Sequence, residues 1–153
     1  MNKKYKIVFF ALLLVWCLGI FSEYLIQLYG GVVYALPILK ENYSFVCHQE
    51  KWKLLSCCGY ESLVCSRCAG IYIGALLASI FNLFSKKEIE IKLKIFLFSS
   101  FPMIIDVAGY SIGLYKYSKT IAFLTGFLFG IVSFLYFYSA FKELINELRE
   151  KRN

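Results

Sequence analysis

Four stretches of this chain are apolar for long enough to cross a lipid bilayer, and nothing else in the sequence restricts its fold as much. A helix needs about 20 mostly apolar residues to span the roughly 30 Å of hydrocarbon. The runs are Ile7–Leu28, Cys68–Phe84, Leu93–Leu114 and Thr120–Phe141. The second is short at its apolar minimum, so the crossing segment is expected to start near Ser62 and to cover 62–84. Hydrophobic residues make up 59% of the chain and the mean hydropathy is +0.64, above the roughly 45–50% apolar content of soluble domains. The excess is expected to face lipid. The fold class is therefore all-α: one integral membrane domain over 1–153, with about four transmembrane helices (7–28, 62–84, 93–114, 120–141), an outer loop over about 30–61 and a tail over 142–153.

The first run begins after Lys3, Lys4 and Lys6, as a signal peptide does. Its apolar part is too long for a signal peptide's core, and no small-residue cleavage pattern follows. Bulky Trp16 before Cys17 also argues against a lipidated cysteine. The reading is an uncleaved anchor.

Lys and Arg concentrate on the cytoplasmic side of membrane proteins. With the N-terminus inside, that side holds eleven: Lys3, Lys4, Lys6, Lys86, Lys87, Lys92, Lys94, Lys142, Arg149, Lys151 and Arg152. The other side holds six: Lys40, Lys51, Lys53, Arg67, Lys116 and Lys119. Both termini are thus expected in the cytoplasm of a cell's inner or plasma membrane, with the long loop outside. The net charge of +7 follows from this topology and implies no nucleic-acid partner. Gly30-Gly31 and Pro37 break the loop's first part, and Val32–Leu39 is apolar enough to lie along or re-enter the membrane. The charged tail from Lys142 reads as a continuation of the last helix.

Five of the six cysteines lie between positions 47 and 68. Cys47-His48-Gln49 forms one piece and Cys65-Ser66-Arg67-Cys68 the other, with Cys57 and Cys58 between. Two cysteines separated by two residues can turn both sulfurs onto one atom or onto each other. Structural zinc takes four Cys or His ligands, and Cys47, His48, Cys65 and Cys68 would supply them; zinc is the expected metal, with iron compatible with the same donors. The same atoms also suit redox chemistry. Cys65 and Cys68 stand at a helix N-terminus beside Arg67, conditions that lower a thiol's pKa and make it reactive, on an outward and oxidising face. Four-helix quinone-coupled disulfide oxidases share that outline, an analogy of architecture alone. A structural disulfide from Cys47 to Cys65 or Cys68 is the plain alternative. His48 is the sole histidine, which excludes bis-histidine haem ligation within one chain.

Cys47-His48-Gln49, followed by Cys65-x-Arg67-Cys68-x-Gly70-Ile71-Tyr72-x-Gly74, resembles the uncharacterised prokaryotic membrane family catalogued as domain of unknown function 2085. Pro102 and Asp106, then Thr125-Gly126 and Gly130, fit as well, so the resemblance covers about 40–135. Ile121–Leu124 lacks an arginine that the family often carries before Thr-Gly, and Cys57 and Cys58 fall outside the pattern. The resemblance implies a membrane protein and no established activity.

Asp106 is the one acidic residue deep in the third run. A carboxylate in hydrocarbon is costly and marks a functional site or an internal partner. Twelve residues beyond Lys94, at 1.5 Å each, place it about 18 Å in, on the cysteine side, where Arg67 can pair with it. Pro102, Asp106, Gly109 and Gly113 fall on one helical face; so do Gly70, Gly74 and Ala78, and Gly126 with Gly130. Small residues so spaced let membrane helices pack closely, which is expected to bring Tyr72 near Asp106. Arg67, Tyr72 and Asp106 are the candidate functional side chains beneath the cysteines. Glu23 reads as solvated at the interface, and Tyr115 and Tyr117 as interfacial aromatics.

These features favour a membrane protein with a Cys/His metal site over a thiol–disulfide oxidoreductase using Cys65 and Cys68, or a small transporter or partner subunit using Asp106. Whether it is an enzyme stays open on sequence. The bilayer is the expected partner, and a homo-oligomer or membrane-protein partner is left undecided.

Overall fold

In hydrocarbon, backbone amides must find their partners within their own segment, so apolar runs become helices. The computed structural model describes residues 3–29, 34, 36–57, 60–85 and 91–151. In chain order its elements are α1 (Lys3–Ile20), α2 (Ser22–Tyr29), α3 (Leu36–Ser44), a 3-10 turn (Lys51–Lys53), β1 (Leu54–Cys57), β2 (Tyr60–Cys65), α4 (Ser66–Phe84), α5 (Leu93–Ser111) and α6 (Lys119–Glu150). Among the described residues, α4, α5 and α6 are long and apolar enough to cross a membrane. The chain is an all-α polytopic membrane protein with one small hairpin.

The directions of the helices follow from their contacts. Along α4, Gly70 faces the Phe123 carbonyl and Gly74 the Phe127 carbonyl; along α6, Gly126 faces the Arg67 carbonyl and Gly130 that of Ile71. A Cβ at any of these glycines would fall well inside van der Waals distance of the opposite backbone. The partners advance together, so α4 and α6 run parallel, backbone against backbone, and α5 must carry the chain back between them. On α1, Lys6 Nζ donates to the carbonyls of Asn82 (2.8 Å) and Ser85 (3.1 Å) at the end of α4. Cys17 Sγ meets the Tyr72 carbonyl near α4's start at 3.6 Å. So α1 runs antiparallel to α4, and Lys6 satisfies carbonyls that a helix C-terminus leaves unpaired. Leu97, Phe98, Phe101, Ile104 and Ile105 of α5 are all exposed; in a bilayer they form surface against lipid.

The buried core lies at one end of the bundle, around Ile20, Tyr43, Cys47, Leu63, Val64 and Ala69, with Trp16, Phe21 and Tyr72 packed against it. There α3 and the hairpin cap the end of α1 and the start of α4. Gly19 leaves room for the Tyr43 ring, whose hydroxyl donates to the Trp16 carbonyl at 2.7 Å.

Several expected boundaries shift. The first run is not one helix to Leu28: α1 stops at Ile20, and α2 restarts with Glu23 in its first turn. Glu23 is not solvated. Its carboxylate pairs with Lys40 at 2.8 Å and accepts the Glu61 amide at 3.2 Å, which pulls α2 toward α3 and β2. Residues 60–65 are extended rather than the start of the second crossing helix, because they pair antiparallel with β1: Leu54 with Cys65, Ser56 with Glu61, Cys57 with Tyr60. At the bulge, the Leu55 amide donates to Ser62 Oγ at 3.0 Å. The third helix ends at Ser111 instead of Leu114. Gly113, at φ +79°, closes a Schellman motif in which its amide reaches the Tyr110 carbonyl and that of Leu114 reaches Gly109, both at 3.0 Å. Gly113 is therefore a cap and not part of a packing face, and Pro102 is exposed. The last helix continues through Glu150, as the tail's reading anticipates. Gly30, Gly31, Val32, Val33, Cys58, Lys86, Lys87 and Arg152 lie outside the described residues.

Candidate metal centre

Three sulfurs meet where the cap joins α4. Cys47 follows α3, held by its amide bond to the Tyr43 carbonyl at 3.0 Å. Cys65 ends β2 and is the N-cap residue of α4, with extended backbone at φ −65°, ψ 159°. Cys68 lies in the helix's first turn. One chain reversal thus delivers Cys65 and Cys68, and a separate loop delivers Cys47. Their ligand atoms lie within 4.8 Å of one another, and no disulfide joins them.

This spacing fits a metal. Zinc–sulfur bonds of about 2.3 Å in a tetrahedron set sulfurs about 3.8 Å apart, so modest side-chain movement would close the three onto one ion. The donors are soft and thiophilic. The surroundings favour negative charge on sulfur. Cys47 Sγ accepts the Cys65 amide at 3.1 Å. Hydrogen bonds from the Cys65 and Cys68 thiols hold the Cys47 thiol well below its ordinary pKa, while Cys65, whose proton Cys47 engages, is raised. The positive end of α4 adds to this.

His48, the fourth expected ligand, is exposed and does not join the converged group. The backbone explains why. Gln49 adopts φ +48°, a conformation that non-glycine residues seldom take, and its side-chain amide donates to the Lys40 carbonyl at 2.9 Å. With this turn Cys47 is buried, and His48 is left exposed beside the sulfurs rather than converged with them. Cys57 is the last residue of β1, paired with Tyr60.

Arg67 and Asp106 come together as expected. Arg67 Nη2 pairs with Asp106 Oδ2, joining α4 to α5, and the Asp106 side chain is 4% exposed. Tyr115 donates its hydroxyl to Asp106 Oδ1 and to the Asp106 carbonyl, the latter at 2.8 Å. That bond raises the Tyr115 pKa. Gly109 makes room, since a Cβ there would lie 2.9 Å from the Tyr115 ring. Tyr115 is thus the Asp106 partner that interfacial-belt reasoning missed. Tyr117 is likewise enclosed, stacking edge-on against Trp52 at 5.1 Å and Tyr110 at 5.5 Å, and burial pushes its pKa up to about 12. Tyr72 turns elsewhere. Five residues after Arg67 it points about 140° away around the helix, and its ring packs on Trp16 at 5.8 Å, on the α1 side.

The model of a family described as "Predicted membrane protein (DUF2085)" matches residues 47–136. An uncharacterised protein of Methanocaldococcus jannaschii is 30% identical over 150 residues, covering 94% of this chain and 96% of that protein. No solved structure matches the chain.

Proposed function

We propose that this chain, which belongs to the DUF2085 family of predicted membrane proteins, holds a thiophilic metal ion, zinc first, on Cys47, Cys65 and Cys68 at the outer end of its helices, with both termini in the cytoplasm. The observation that carries the reading is the convergence of three sulfurs from two separate segments. An ion there ties the α3–β1 loop to α4, and binding energy of this kind becomes folding energy. The basic-residue asymmetry supports the orientation, with α1 and α2 together making the fourth crossing.

The test is metal content and free-thiol count on one detergent-purified sample prepared without added metal or reductant. About one equivalent of zinc or iron, with thiols freed only by denaturation and chelation, is expected. Cys65→Ser should lose the metal and lower the folded yield; a full equivalent retained by that variant sinks the assignment. A membrane-impermeant thiol reagent should label a cysteine placed at Lys116 and not one placed at Lys142.

A second reading rests on Cys47 as a low-pKa sulfur beside two other thiols. In it, Cys65 pairs with Cys47 or Cys68, two thiols giving a disulfide with two electrons and two protons passing to an acceptor such as a quinone. Thiols that appear only after reduction, with no metal, would favour it. Asp106, with Arg67 and Tyr115, would serve a transport or partner role if Asp106→Asn abolished function while the fold and metal persisted.

A further inference from the structure

The three sulfurs form one wall of a cavity of about 400 Å³, which is also lined by His48, Gln49, Glu50, Lys53 and Arg67. Its mouth lies at the protein surface, where Phe45 is 84% exposed and Val46 and His48 are exposed. Such a volume holds several waters or a small ligand. An ion on Cys47, Cys65 and Cys68 has three protein ligands. Sites with three protein ligands and an open position bind water or substrate there, whereas closed four-ligand sites are structural.

We infer that the centre takes its fourth ligand from this cavity rather than from His48, and that the position accepts a small monodentate anion. The inference rests on the metal reading above. Two observations set it apart from a closed site. The only histidine is exposed where it borders the cavity, and it stands outside the converged group of ligand atoms. The cavity also presents positive charge to the ion. Arg67 lines the cavity while its Nη2 pairs with Asp106. Lys53 lines the same cavity, its Nζ against the rings of Trp52 (4.6 Å) and Tyr110 (5.1 Å), with Glu50 at 2.8 Å. A divalent ion on three thiolates has one net negative charge and alone would repel an anion. A guanidinium at the cavity wall offsets that repulsion. Binding is ligand exchange: the anion displaces water, and no bond in the protein forms or breaks.

The full-length protein in detergent, loaded with cobalt(II) in place of zinc, reports its ligands by absorption. His48→Ala, an exposed change, should keep the thiolate-to-metal and d–d bands of the parent in position and intensity, and azide should shift the d–d bands of both proteins saturably. Arg67→Met should weaken azide binding by about tenfold while retaining the thiolate bands, about 1.4 kcal/mol for the loss of one positive charge at the cavity wall. Changed d–d bands in His48→Ala identify the histidine as ligand and overturn the inference, as does indifference to azide. Absence of thiolate-to-cobalt bands in the parent defeats the metal reading itself, and this inference falls with it.

Discussion

Arg67 and Asp106 offer the most demanding test of the packing beneath the thiol centre. The carboxylate is 4% exposed and the guanidinium 19%, so the carboxylate cannot fall back on bulk water once its partner is removed and the guanidinium can do so only in part. Breaking a buried pair from one side costs about 3–5 kcal/mol, because the remaining charge is left uncompensated. Arg67 keeps some access to water, which places Asp106→Asn near the lower end, at about 3 kcal/mol. Arg67→Met keeps the aliphatic stem and leaves the carboxylate without its cation, held by the Tyr115 hydroxyl, and should cost a similar amount. Removing both leaves no orphan charge, so the double variant should lose clearly less than the two single losses combined. A coupling of about 2 kcal/mol lies within the range for contacting residues. The assay is reversible unfolding in mixed micelles with rising denaturing detergent, followed by helical circular dichroism, on all four proteins. Coupling below about 0.5 kcal/mol would refute the claim that this pair joins α4 to α5. An unchanged midpoint for Asp106→Asn would be equally damaging.

Two further outcomes follow from the same contacts. Gly130→Ala sets a methyl against the Ile71 carbonyl. The obstacle is backbone and cannot rotate aside, so α4 and α6 must part; a loss of about 1–3 kcal/mol is expected by the same unfolding assay. Tyr115→Phe removes both bonds to Asp106 and Gly109→Ala crowds the ring that makes them. Each should lower the unfolding midpoint, and combining them should add little, since both act on one contact.

What could be read from the sequence was whatever depended on local pattern. Apolar run length gives α4, α5 and α6, and small residues spaced by four give the α4–α6 contact, because a glycine's lack of Cβ is a property of its own position. The hairpin was missed although its signal was present: Leu54–Cys57 and Tyr60–Cys65 flank two residues, one of them Gly59, as short hairpins do. The cysteines drew the reading toward a loop. Close packing of the small-residue faces suggests Tyr72 near Asp106, but five residues of spacing turn it about 140° from Arg67, and α1 with its Trp16 takes that side. Glu23 looked solvated because its partners, Lys40 and the Glu61 amide, come from 17 and 38 residues away, a separation no local pattern reports. His48 shows the limit at the site. Adjacency to Cys47 suggests a shared ion, but Cys47 is buried with the other two sulfurs while His48 stays exposed beside them.

The division of labour around α4 leads to a last prediction. Its first two turns are held three ways without any metal: by the α6 backbone at Gly70 and Gly126, by α1 through the Tyr72 carbonyl, and by α5 through Arg67. The segment carrying Cys47 reaches α4 through the sulfur contact, the Cys65 amide and the bond from Ser66 Oγ to the Lys53 carbonyl, and α1 and α2 through Tyr43 and Lys40, with Gln49 bound back to α3. Removing an ion from the three sulfurs should therefore free the cap and spare the helices. Hydrogen exchange in detergent, before and after chelation, should show faster exchange across 36–57 while the amides of α4, α5 and α6 keep their protection, since local openings follow local contacts. Uniform loss of protection would mean that the ion supports the whole bundle. No change anywhere would mean that the cap stands on its apolar core of Ile20, Tyr43, Leu63 and Val64, and that the centre serves chemistry rather than architecture.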